Sequence, residues 1–170
     1  MRIAFYHSAA RNKYNHASES HGWFVDEVKI VSGTPQFSGD FETGWGDWSA
    51  DRGVWQVGTP GAGPAECYAG SSCVGTTLNG VHPVNTDSRL ISAPFEVSGV
   101  QPRLTFWQWF SYSSHDFGIV QISVQTDGVW SDWKNLGNSQ VNVCALPFIT
   151  VRRGTNTTML RKVMAGLWMK

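Results

Sequence analysis

At 170 residues the chain is long enough to bury a core as one domain, and with 41% hydrophobic against 15% charged residues it does not have a disordered composition. The formal net charge is zero, yet residues 141–170 hold Arg152, Arg153, Arg161, Lys162 and Lys170 with no acid, which leaves the first 140 residues eight basic and 13 acidic side chains. An acidic body with a short basic tail speaks against a nucleic-acid groove and suits a cation site. No run has the length and apolarity of a membrane span, and the start MRIAFYHSAARNKY lacks the apolar segment of a signal peptide.

Nine Trp, nine Phe and 18 Gly, without long stretches of Ala, Glu, Lys and Leu, describe an all-β protein, a sandwich of short strands and many turns. In chain order, RIAFYH (residues 2–7) alternates as a strand, AARNKYNHASESHG follows as a polar loop, and WFVDEVKI (23–30) is a second strand with Asp26 and Glu27 in its middle. SGTPQFSG reads as a linker. The Gly- and Trp-rich run from Asp40 to Pro64 contains one short strand, Val54 to Val57, and further strands are expected at Cys73 to Leu78 and at Arg89 to Val97, where Pro94 marks an edge or bulge.

The chain is organised around LTFWQWFSYS (104–113) and GIVQISV (118–124), two β-rich runs expected to lie side by side. Alternation puts Leu104, Phe106 and Phe110 on one face and Trp107 and Trp109 on the other, so this strand is covered on both sides or carries an aromatic platform. Thr126-Asp127-Gly128-Val129 is the signal of a tight hairpin. Beyond Val141 the composition changes, and an added strand, a non-native extension or a short amphipathic helix through Leu160, Val163, Met164, Leu167 and Trp168 all fit. Cys67 and Cys73 bracket a five-residue loop and either form a small disulfide or stay reduced, with Cys144 left over; no zinc-ligand spacing occurs.

The runs DFETGWGDWSADRGVWQVGTP, SSCVGTTLNGVHPVNTDSRLISAPFEV and LTFWQWFSYSSHDFGIVQISVQTDGVW together resemble the MAM-like jelly-roll accessory domains of secreted bacterial exoproteins such as the immune inhibitor A-type peptidases. The resemblance covers roughly residues 37–136, and RIAFYHSAARN with HGWFVDEVKI looks like the closing strands of the same domain, placed first instead of last. It implies an antiparallel jelly roll over residues 1–140, with closing strands in 1–30, a linker in 31–38, main strands in 39–140 and an atypical tail in 141–170. A permuted chain completes itself, whereas a cut repeat completes itself only as a strand-exchanged dimer. Extracellular location follows from the resemblance alone.

Three chemistries compete. The resemblance implies a structural Ca2+ shared by Glu42 and Asp26, with Asp40 and Glu27 beside them, acting as a clasp between opening and closing strands; otherwise these are solvated strand charges that protect edges. Trp107 and Trp109, or Trp45, Trp48 and Trp55 in the Gly-rich segment wherever they stay exposed, offer flat surfaces for a glycan or surface polymer, with burial as the ordinary fate of tryptophan. An enzymatic alternative, a small calcium-dependent hydrolase of a glycoside or lactone, would use Glu42, His115 and Asp116, with His82 also in a loop. No nucleophile elbow or spaced carboxylate pair supports it. The expectation is a non-catalytic binding module.

Overall fold

The computed structural model describes residues 1–9, 20–32, 34–97, 102–113, 115–138, 150–151 and 161–166. Their strands are β1 (Arg2–Ala9), β2 (Gly22–Ser32), β3 (Thr34–Gly39), β4 (Ser49–Ala50), β5 (Gln56–Gly58), β6 (Cys73–Gly75), β7 (Thr86–Ile91), β8 (Arg103–Ser111), β9 (Asp116–Ser123), β10 (Gln125–Thr126), β11 (Val129–Trp130), β12 (Lys134–Asn138), β13 (Thr150–Val151) and β14 (Arg161–Gly166). The polar segment 10–19 and Cys144 lie outside the described residues. All pairings are antiparallel, and the molecule is an all-β sandwich without helix among the described residues.

One packed sheet runs β12-β9-β1-β7-β4 and the other β13-β14-β8-β2-β6-β5 with β3 also on β2, while β10 and β11 form a separate two-stranded sheet. The two N-terminal strands thus sit inside the sheets, β1 between β9 and β7 and β2 between β8 and β6. Alternation explains the packing. Ile3 and Phe5 face the core from β1 and meet Trp23, Val25, Val28, Ile30, Leu104 and Phe106 from the facing sheet. Phe5 is the hinge of this contact, its ring edge-on to Trp23 at 5.4 Å and to Phe106 at 4.9 Å. Gln108 continues the inward row of β8, and its Oε1 accepts a 2.8 Å bond from Trp23 Nε1, which satisfies both buried groups. Gly118 has to be glycine: a Cβ there would lie 2.6 Å from the Trp23 ring.

Four expectations are corrected. β8 and β9 are not neighbours; they lie in different sheets, because the break between them has no two-residue hairpin chemistry and crosses the sandwich instead of reversing. SGTPQFSG is not a free linker, since β3 pairs with β2 over Val28–Ser32, an edge that β6 leaves open by pairing only with Phe24 and Val25. Pro35 is tolerated in such an edge strand. The C-terminal amphipathic helix is replaced, over 161–166, by β14, whose backbone satisfies the second edge of β8; Leu160, Leu167 and Trp168 lie outside the described residues. Trp48 and Trp55 are core residues, 7% and 4% exposed, and Trp45 is half-buried and packs against the same core. A Gly-rich segment rich in indoles wraps around the end of a hydrophobic core rather than projecting from it.

The Asp-Gly hairpin forms as expected. Thr126 pairs with Val129, with Asp127 at φ 51° and Gly128 at φ 82°, the left-handed pair that a type I′ turn requires.

Candidate functional site

The outer side of the β8–β2 pair brings two of the expected sites together. The register sets Trp109 opposite Phe24 and Trp107 opposite Asp26, so the indoles and the acid share one face. The loop between Cys67 and Cys73, closed by a disulfide across a sequence separation of 6, covers that face. So short a crosslink contributes about 2 kcal/mol by restricting the unfolded chain. Tyr68 of this loop stacks on Trp107 with ring centroids 3.5 Å apart, while Trp109 lies edge-on to Phe24 at 5.6 Å and 6.2 Å from His21. Each indole is half-buried, and neither forms an open platform.

The same loop binds the acids. Ala69 N donates to Asp26 Oδ2 at 3.1 Å, Ser71 N donates to Glu42 Oε2 at 3.0 Å, and Ser72 N donates to Glu42 Oε1 at 3.1 Å. Gly70 has φ +60°, and a Cβ on it would lie 2.2 Å from the Glu42 carboxylate, so the loop is shaped around that side chain. These amides hold the Glu42 carboxyl below its ordinary range. Glu27 occupies the irregularity between Asp26 and Lys29, at φ 50°, and pairs with Lys29. Asp40 Oδ1 accepts from Glu42 N at 3.2 Å.

Asp26 tests the fit of a cation. It is 1% exposed, and burial pushes its carboxyl up to about 6 against the pull of two backbone amides, with the charges of Glu27 and Glu42 adding to the rise. A divalent ion would relieve that crowding. Among the described residues no group of three or more His, Cys, Asp or Glu side chains stands ready to hold a metal. Side-chain carboxylates therefore furnish only part of the six to eight oxygens that calcium takes, and the rest falls to carbonyls and water.

The enzymatic candidates are distributed differently. Asp116, at the start of β9, accepts from His82 Nε2 at 3.0 Å, from Ser113 N at 2.9 Å and from Ser113 Oγ at 2.8 Å. His82 and Asp116 have side chains only 1% and 2% exposed, whereas His115 is exposed. Beside them lies His7, which the alternation of β1 turns inward behind Ile3 and Phe5. Its ring is 5.2 Å from that of His82 and stacked at 5.7 Å on Tyr112, and neither of its nitrogens has a partner among the described residues. Burial lowers its pKa to about 4, with His82 adding to the fall and Asp116 opposing it. Sequence reasoning missed His7, although its place in the alternating strand was the signal.

The outer face of the five-stranded sheet holds a second arrangement that the sequence reading missed. The Arg2 guanidinium lies 4.4 Å from the Trp130 ring and 4.7 Å from the Trp133 ring; the Arg89 guanidinium lies 5.9 Å from Trp133 and 4.7 Å from Tyr6, and Tyr6 meets Phe117 at 6.0 Å. Cations and rings thus alternate across β11, β1, β7 and β9, each contact worth about 0.5–1 kcal/mol where water reaches it. Polar groups fix the row: Arg89 Nε donates to Gln121 Oε1 at 2.9 Å, Gln121 Nε2 donates to Asn135 Oδ1 at 2.9 Å, and Arg89 pairs with Asp51 at 3.3 Å. Burial raises the Tyr6 phenol, and its bond to Asp87 adds to the rise. Trp130, in the second strand of the Asp-Gly hairpin, and Trp133 are separated by only Ser131 and Asp132, and that spacing was the available signal.

Fold and sites define a disulfide-bearing antiparallel β-sandwich with a ring-and-cation row on the outside of one sheet. No family model, curated protein or solved structure matches the chain. No helix among the described residues is long and apolar enough to cross a membrane.

Proposed function

We propose that this chain is a non-catalytic binding module of extracellular type that takes a glycan or surface polymer on the outer face of its five-stranded sheet. The observation that carries the reading is the row of half-buried rings, Trp130, Trp133, Tyr6 and Phe117, interleaved with the fixed polar groups of Arg89, Gln121 and Asn135. Rings give flat apolar area, and pre-oriented amides and guanidinium give directional bonds without an ordering cost, which is what an extended polar chain with apolar sugar faces needs. Trp107 and Trp109 contribute less, because Tyr68 and Phe24 already occupy them. The Cys67–Cys73 disulfide supports an oxidising compartment.

Affinity electrophoresis in gels containing soluble polysaccharides tests the function. Retardation without product release is expected, and Trp133→Ala should lessen it at least several-fold while Trp109→Ala leaves it nearly unchanged. Equal losses in both variants, or turnover of a chromogenic glycoside, ester or lactone, would refute the reading.

Calcium is part of the same proposal: Asp26 and Glu42, with Asp40 and Glu27 at hand, would hold the ion and tie β2 to the chain entering from β3 and to the disulfide loop. It would supply charge neutralisation at a crowded acid pair. A melting midpoint that rises with millimolar calcium and falls on adding EDTA is the expected result; an identical midpoint in both conditions removes the ion from the account.

A further inference from the structure

The row's two cations are not equivalent. Arg89 is balanced by Asp51 at 3.3 Å, and Gln121 occupies its Nε. Arg2 forms no ion pair among the described residues, although Asp132 lies in the chain between the two tryptophans that flank it. Its Nε is buried and has no hydrogen-bond partner among the described residues. A guanidinium screened by two indoles is partly stripped of water, and a charge in that position gains more from a counterion than one in open solvent.

We propose that Arg2 is the receptor for a carboxylate of the bound polymer, which makes the ligand class an acidic, uronate-bearing polysaccharide; this rests on the binding function proposed above. The planar fork of a guanidinium matches a carboxylate through two parallel bonds, and Trp130, half-exposed beside it, provides the apolar surface on which the acidic sugar's ring lies. Over residues 1–140 the 13 acidic side chains outnumber the eight basic ones, which discourages an acidic polymer from settling elsewhere on that part of the chain. A cation set between two indoles, with no ion pair among the described residues, therefore acts as the selector.

The test compares polygalacturonate, a sulfated galactan and a neutral glucan by affinity electrophoresis, and follows galacturonate oligomers by quenching of tryptophan fluorescence in the unmodified protein. Polygalacturonate is expected to bind at least tenfold more tightly than either alternative and to be displaced by its oligomers. Arg2→Gln should lose that preference, Arg2→Lys should lose most of it for want of a planar fork, and Arg103→Gln, an exposed arginine at the start of β8 in the other sheet, should bind as the parent does. Melting curves of each variant separate lost binding from lost folding, and the oligomer quenching needs no variant. Equal losses from Arg2→Gln and Arg103→Gln, or a stronger response to the sulfated polymer, would overturn the proposal by reducing it to unspecific charge attraction. Binding of the neutral glucan alone overturns the acidic ligand and leaves the module reading intact; binding of none of the three overturns both.

Discussion

Removal of residues 1–31 is expected to abolish cooperative folding, even though all the other strands remain. β1 is hydrogen-bonded on both sides, to β7 and to β9, and β2 is bonded to β8 on one side and to β6 and β3 on the other. Their loss opens both sheets down the middle and takes Ile3, Phe5, Trp23, Val25, Val28 and Ile30 from the core. At roughly 1.5–3 kcal/mol for each fully buried side chain, the deficit is on the order of 10 kcal/mol, comparable with the whole stability of a domain. Circular dichroism and thermal melting of the truncated chain provide the check. A soluble monomer that still melts in one sharp step would show that the sandwich closes without its first two strands.

Acid should weaken the protein through His7. In the folded chain this imidazole is buried, unpartnered among the described residues and depressed to about 4, whereas in the unfolded chain it titrates near 6.5. Between those values the unfolded state binds the extra proton, so stability present above about pH 6.5 is lost as pH falls toward 4, by up to about 3 kcal/mol. The groups facing it are the His82 ring, whose influence lowers the His7 pKa, the Asp116 carboxylate, which opposes that fall, and the Tyr112 ring. His7→Phe keeps a ring in the same place and removes the titration. Urea unfolding at pH 7 and pH 4.5 should show a clearly smaller acid loss in His7→Phe than in the parent. Parallel losses in the two proteins would place the acid sensitivity elsewhere.

Which parts of this were legible beforehand follows from the range of the interactions. RIAFYH, LTFWQWFS and the Asp-Gly turn carry their own instructions, because alternation and a left-handed turn pair are properties of a few adjacent residues. The face assignment of Trp107 and Trp109 was equally local. What the amino-acid order could not state is which strand lies beside which: the pairing of Trp107 with Asp26, the crossing of β8 and β9 into opposite sheets, the recruitment of 34–39 beside β2 and that of 161–166 between β13 and β8.

The sites divide along the same line. Asp26 and Glu42 were singled out one by one, but the loop amides that hold them come from residues 69 to 72, far along the chain. The cation-and-ring row needed Arg2, Arg89 and Trp133 to converge from three distant segments. By itself, then, the sequence determined an all-β chain, its turns and the inward or outward sense of its strand residues. Only the tertiary structure decided strand order, which indoles stay at the surface and which cation of the row has no ion pair among the described residues, since these depend on contacts whose partners are separated by tens of residues and have no local signature.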